Sequence, residues 1–118
     1  MPRKPKAERF VPLSNLSFHL LLALGPGPGH GYGLGKEIER RTDGRLTPTT
    51  GSLYQALKRL ADDGLIEPAP EAAATSPDER RQYFRLTALG REVARLEAAR
   101  LHELVRLAAE CHLYPSLG

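Results

Sequence analysis

The sequence predicts a mainly α-helical chain carrying one small β-hairpin. Three observations lead there. Four stretches place apolar residues at three- and four-residue spacing, the signature of one helix face. Gly- and Pro-containing runs separate the earlier stretches. Only two short segments, residues 65–66 and 80–86, favour strand, and both fall between the third and fourth helical stretches.

Taken in order, residues 1–12 are rich in Pro, Lys and Arg and read as an extended, basic N-terminal arm. The chain has 118 residues and a formal charge of +3. Arg3, Lys4, Lys6 and Arg9 against Glu8 account for that whole surplus, so the remainder is balanced. A basic arm points weakly to nucleic acid; a solvated tail is the plainer alternative. Pro12 precedes a first helix, capped by Ser14 and running to Leu24. Its apolar residues, among them Leu16, Leu20 and Leu21, lie nearly all round it, which implies burial on more than one side. Gly-Pro-Gly-Pro-Gly at 25–29 cannot continue a helix and reads as a connector. A second helix follows from about His30 to Arg41, with Leu34 and Ile38 inward. Gly33 and Gly35 weaken it and would allow a neighbouring helix to come close. Thr42, Asp43 and Gly44 stop it.

The third stretch organises the rest. Leu53, Ala56, Leu57, Leu60 and Ala61 form its buried face. Thr49 or Thr50 caps it, after Pro48. Gly64 ends it in the left-handed conformation. Its first turns are small, polar and free of acid, while Asp62 and Asp63 close it. That is opposite to the macrodipole's preference, and it suits a helix whose N-terminal half approaches something negative, as a major-groove recognition helix does. An ordinary amphipathic core helix is the competing reading. Residues 65–66 and 80–86 then form a hairpin around a long polar loop, with Pro68 and Pro70 suited to a sheet edge. Thr87 caps a last helix reaching about His112, a rod of roughly 36 Å. Leu89, Val93, Leu96, Leu104 and Leu107 share one sector of it, interrupted by Arg100, and Leu101 and Ala108 lie in the adjacent one. A stripe longer than a small body can cover calls for a partner, most simply a second copy.

Helix, helix, helix, strand, loop, strand, helix is the order of a winged helix-turn-helix. The expected organisation is a basic arm at 1–12, a winged helix-turn-helix DNA-binding domain at 13–86, a C-terminal dimerisation helix at 87–112 and a coil at 113–118. Lys58 and Arg59 on the third helix and Arg80, Arg81 and Arg85 on the wing supply cations where backbone phosphates would lie. The alternative for Arg80 and Arg81 is a solvated pair beside Asp78 and Glu79.

Three blocks resemble the PadR family of bacterial winged-helix transcription regulators. They are His-Gly-Tyr-Gly-Leu at 30–34; Thr-Gly-Ser-Leu-Tyr at 50–54 with Leu-Lys-Arg-Leu at 57–60 and Gly-Leu-Ile at 64–66; and Arg-Gln-Tyr-Phe-Arg-Leu-Thr-Ala-Leu-Gly at 81–90. The family usually has Pro at the positions of Thr50 and Gln55, and no glycine matching Gly35. The resemblance implies a homodimeric regulator, typically a repressor, on a roughly palindromic double-stranded operator. It implies that the first and last helices build the dimer, adding Leu16 and Leu20 to the stripe residues. Tyr32, Ser52, Tyr54 and Lys58 match family positions that approach DNA; Thr49, Thr50, Gln55, Arg59, Arg80 and Arg81 complete the expected interface. For Tyr32 and Tyr54 the alternative is a half-buried ring with a wet hydroxyl. Some relatives bind aromatic or drug-like effectors between subunits, so a small hydrophobic effector is a further expectation, of unidentified kind.

Other function classes find little support. No phosphate loop, paired metal ligands or nucleophile–base constellation is legible, so no enzyme activity, metal or cofactor is expected. Cys111 is the only cysteine, which fits a reducing compartment. No apolar run is long enough for a bilayer and the basic start lacks an adjoining apolar core, so a soluble cytoplasmic protein is expected. The competing binding class is a winged-helix protein-interaction module without DNA.

Overall fold

The computed structural model describes residues 6–74 and 82–115. Among these described residues, five helices and three short strands follow one another as α1 (Asn15–Leu24), β1 (Gly29–His30), α2 (Gly31–Arg41), α3 (Thr50–Asp62), β2 (Ile66–Pro68), α4 (Pro70–Ala74), β3 (Tyr83–Leu86) and α5 (Ala88–Glu110). A 3-10 turn at Lys6–Phe10 precedes them.

Local sequence chemistry sets most boundaries. The Ser14 hydroxyl accepts the Ser17 N–H and opens α1. At α2 the imidazole Nδ1 of His30 does the same for Gly33, at 3.1 Å. Thr49 caps α3 and Thr87 caps α5, each accepting the N–H three residues on. Each cap satisfies a donor that the first helical turn leaves without a partner. Gly64, at φ 77°, ends α3 in the left-handed region, and the Leu65 N–H closes back on the Leu60 carbonyl at 2.9 Å. That turn aims Ile66 straight into β2.

Helix α1 is the hub. It packs on α2, α3, β3 and α5 at once, which is why its sequence is apolar on nearly every side. Leu20, Leu21 and Leu24 meet Leu34 and Ile38 of α2, Leu53, Leu57 and Leu60 of α3, and Leu65, Ile66, Phe84 and Val93 in one core. The sheet order is β1-β3-β2, all antiparallel. Pro68 faces Phe84 on the edge strand β2, where a residue without a donor is tolerated.

Helix α5 is stitched to the turn before β2. Thr87 Oγ1 donates to the Gly64 carbonyl at 2.6 Å, and the Thr87 N–H donates to the Leu65 carbonyl at 3.1 Å. Gly90 sits directly on that carbonyl: a Cβ there would lie 2.0 Å from the Leu65 oxygen. Only glycine lets the helix approach so closely.

Four differences from the sequence reading have physical causes. Residues 6–10 of the expected extended arm form a turn packed on α5, with Ala7 buried; its small side chain fits where Lys and Arg could not. Gly29 and His30, read as connector and helix start, pair with Phe84 and Tyr83 as a third strand. The extended backbone that an N-cap requires (His30 φ −116°, ψ 159°) is also strand geometry. Part of the long polar loop is helical, because Pro70 suits a first helical position and alanines follow. Finally, Leu20 and Val93, expected at a dimer face, are wholly enclosed in the protomer's own core. A periodic stripe reveals that a face is buried, and the protomer's own body covers the first part of it.

Candidate nucleic-acid interface

Helix α3 turns Leu53, Leu57 and Leu60 inward and leaves Thr50, Ser52, Tyr54, Gln55, Lys58 and Arg59 exposed. The polar positions therefore share one open face because the leucines take the other. No carboxylate interrupts that face before Asp62. The cap at its start is a small network. Thr49 Oγ1 accepts the Ser52 N–H at 3.1 Å and lies 2.6 Å from Ser52 Oγ. The two hydroxyls hold each other, and one proton remains to be directed outward.

Tyr54 projects from α3 against the start of α2. A Cβ on Gly31 would stand 2.7 Å from the Tyr54 hydroxyl and ring. The missing side chain of Gly31 is the seat of this ring. Tyr54 is nevertheless 52% exposed, and Tyr32 60%. The Tyr54 ring is thus partly packed and half of it is open. Tyr32, Thr50 and Tyr54 come together with Lys36, Thr47 and Pro48 along a groove of about 270 Å³ between α2 and α3. Gly35 keeps that pair of helices close, since a Cβ there would lie 3.2 Å from a Leu53 methyl.

Lys36 was not singled out by sequence. Its ammonium lies 5.6 Å from the centre of the Tyr32 ring, within cation–π range. The four-residue spacing between Tyr32 and Lys36 on one helix was the available signal.

Two cations are less free than their sequence positions suggest. Lys58 Nζ pairs with Asp62 at 2.9 Å, and the nearby carboxylate raises the lysine's pKa. Both partners are well exposed, so the pair is weak and readily exchanged for another anion. Arg85, counted as a wing cation, is bound by Glu67 at 3.1 Å and by Glu71. On α2, Arg40 and Arg41 both grip Glu37 and lower its pKa to about 2. Arg80 and Arg81 lie outside the described residues.

The expected dimer residues divide into three groups. Leu20 and Val93 are interior. Leu16, Leu89 and Leu96 are partly buried against the core. Leu101, Leu104 and Leu107 stand exposed on the distal half of α5, with Val105 beside them and Ala108 half-buried. Arg100, the break in the stripe, is bound to Glu97, a buried carboxylate that sequence reading passed over. Among the described residues no helix is long and apolar enough to cross a membrane.

Comparison with known proteins places this geometry. A transcriptional regulator from Clostridium thermocellum superposes with a TM-score of 0.69 at 22% identity, over 83% of this chain and 96% of that one. A PadR family transcription regulator from hypervirulent Clostridium difficile R20291 gives 0.68 at 21%, over 82% and 97%. Bacillus subtilis PadR, in a complex with operator DNA, gives 0.58 at 21%, over 70% of this chain and 45% of that one. At such identities these likenesses show a shared fold. No curated protein is recognisably similar in sequence. The family model for PadR-like transcriptional regulators matches residues 20–96. Its span takes in α2, α3, the sheet and the proximal half of α5, and the chain accordingly belongs to the PadR-like family of transcriptional regulators.

Proposed function

We propose that the chain is a sequence-specific DNA-binding repressor that works as a homodimer on a palindromic operator. The observation that carries this reading is the outward face of α3, open from Thr50 to Arg59 and free of acid until its last residue. Residues 13–86 form the DNA-binding unit and 87–112 the dimerisation helix. Helix α3 enters the major groove with Ser52, Gln55 and Lys58 toward base edges. Thr49, Thr50, Tyr32, Tyr54 and Arg59, with Arg80 and Arg81 of the wing, meet the backbone. The family supports the regulator role, and the operator complex of B. subtilis PadR supports DNA as the partner. The exposed apolar residues Leu101, Leu104, Val105 and Leu107 support a second copy on distal α5. A small hydrophobic effector held between subunits would relieve repression.

Selection of bound fragments from a random DNA pool, followed by titration at several salt concentrations, tests this. The expected product is a symmetric site whose half-sites lie about one helical turn apart, with affinity falling steeply as salt rises. On that site, Arg81→Ala weakens operator and random DNA alike if it meets phosphate. Gln55→Ala blunts discrimination by about 1–3 kcal/mol if it reads a base. Absence of any shift at low salt would overturn the reading in favour of a winged-helix protein-interaction module. The self-neutralised Lys58 and Arg85 are what such a module would present.

A further inference from the structure

Glu97 is the one buried charged side chain among the described residues, 2% exposed, and it lies where α5 leaves the body. Gly90, Val93 and Glu97 are the buried residues of this helix. From Leu101 to Glu110 every residue except Ala108 is exposed. Glu97 faces the chain's beginning as well as its own helix. Its Oε2 accepts the Leu13 N–H at 2.8 Å, a bond between residues 84 positions apart. The Arg100 guanidinium grips both oxygens, Nε to Oε1 at 2.5 Å and Nη2 to Oε2 at 3.2 Å. Leu13 directly precedes Ser14, the cap of α1. One carboxylate thus ties the root of α1, the hub of the body, to the last enclosed turn of α5.

An apolar residue at position 97 would fill the same space without burying a charge, and such replacements are often neutral or stabilising. What a hydrogen-bonded ion pair adds is a fixed direction: Arg100 holds the carboxylate from within α5, and the one bond that leaves the helix, to the Leu13 N–H, orients it against the root of α1 as a methyl contact would not. Here direction matters. The ten residues beyond Arg100 form a lever of about 15 Å. A turn of ~10° about its base moves the tip by ~3 Å, close to the roughly 3.4 Å rise of one base pair. We propose that Glu97, with Arg100, is a positioning residue for operator recognition: it fixes the angle between the DNA-binding body and the dimer rod, and through it the half-site spacing the dimer accepts. The inference rests on the dimeric regulator reading, in which distal α5 joins the two copies.

The test has two arms. The first needs no DNA. Spin labels at Asp63→Cys and Ala109→Cys, in a Cys111→Ser background and diluted with unlabelled chain, report the body-to-rod distance within one protomer. The wild-type joint should give one narrow distance. Glu97→Ala should broaden or displace it while far-ultraviolet circular dichroism stays unchanged. Should Glu97→Ala fail to fold, Glu97→Gln and Arg100→Gln carry the same comparison, since each keeps the side-chain bulk and removes the ion pair. The second arm titrates operators whose half-site centres are moved in single base-pair steps. Wild type should prefer one spacing by about tenfold, and the folded variants should lose that preference while remaining dimers. A folded variant with the wild-type distance distribution overturns the proposal, as does an unchanged spacing profile. If wild type binds no DNA, the regulator reading fails by itself, and the distance arm still decides whether Glu97 sets the angle.

Discussion

The proximal and distal halves of α5 are written in nearly the same alphabet and live in different surroundings. Both are rich in Ala, Leu, Arg and Glu, strong helix formers, and the helix runs unbroken from Ala88 to Glu110. Yet Gly90, Val93 and Glu97 are buried, whereas Leu101, Leu104, Val105 and Leu107 are open to solvent. The difference teaches that an apolar period states only that a helix has a face to cover. The body covers it as far as Glu97, because the body ends there. Beyond that point the same pattern is unpartnered surface, and the two halves should respond to mutation through different observables.

The sharpest way to break the comparison lies at the proximal end. Gly90→Ala puts a methyl 2.0 Å from the Leu65 carbonyl oxygen, with backbone on both sides and nothing flexible to give way. We expect a loss of about 3 kcal/mol in urea unfolding, although alanine has the better helix propensity. A stability at or above wild type would mean that α5 can lift off the turn at Gly64 and Leu65 without cost.

Next in size is a pair of substitutions, one on each half. Val93→Ala empties part of the core and should cost about 2 kcal/mol. Leu104→Glu adds a charge to the exposed half. It should leave the secondary structure intact and convert the proposed dimer to monomer in light scattering. Should Leu104→Glu stay dimeric, the copies meet elsewhere, with Leu16 and its neighbours on α1 the next surface to change.

The smallest expected effect sits at the boundary between the halves. Arg100 holds the Glu97 carboxyl below its ordinary value; burial opposes this, and the Leu13 N–H reinforces it. A carboxylate with a depressed folded pKa stabilises the fold above its unfolded pKa, and that stability disappears as pH falls through the folded pKa. Wild type should therefore lose its advantage over Glu97→Gln below about pH 4. Parallel stability curves for the two proteins across the acid range would show that the charge contributes nothing.

The outward face of α3 was more legible than the contact between α5 and Leu13. Polar residues at the start of α3 followed by a terminal pair of aspartates, with leucines at helical spacing opposite, mark an outward surface in the letters themselves. Tyr32 and Tyr54 were nominated through the resemblance to the PadR family. Gly31, the seat of the Tyr54 ring, was not, because a glycine at a helix start reads as turn chemistry until the ring above it is seen. Lys36 was hidden in a run of charges on α2. Glu97 was hidden more deeply still: acid and base three residues apart on a helix normally denote a solvated pair, whereas this one is buried and also binds the distant Leu13 N–H.

What the sequence determined by itself is local. Four N-caps, the left-handed glycine after α3, the helical periods and the order of elements follow from interactions within a few residues, and they specify a winged helix with a long final rod. What the tertiary structure decided is which of two equivalent-looking groups is used and by whom. It put Leu20 and Val93 inside while leaving Leu104 and Leu107 outside, drew Gly29 and His30 into the sheet, and neutralised Arg85. The physical reason is that burial and pairing depend on residues far apart in the chain meeting in space, and periodicity carries no record of where the neighbouring surface stops.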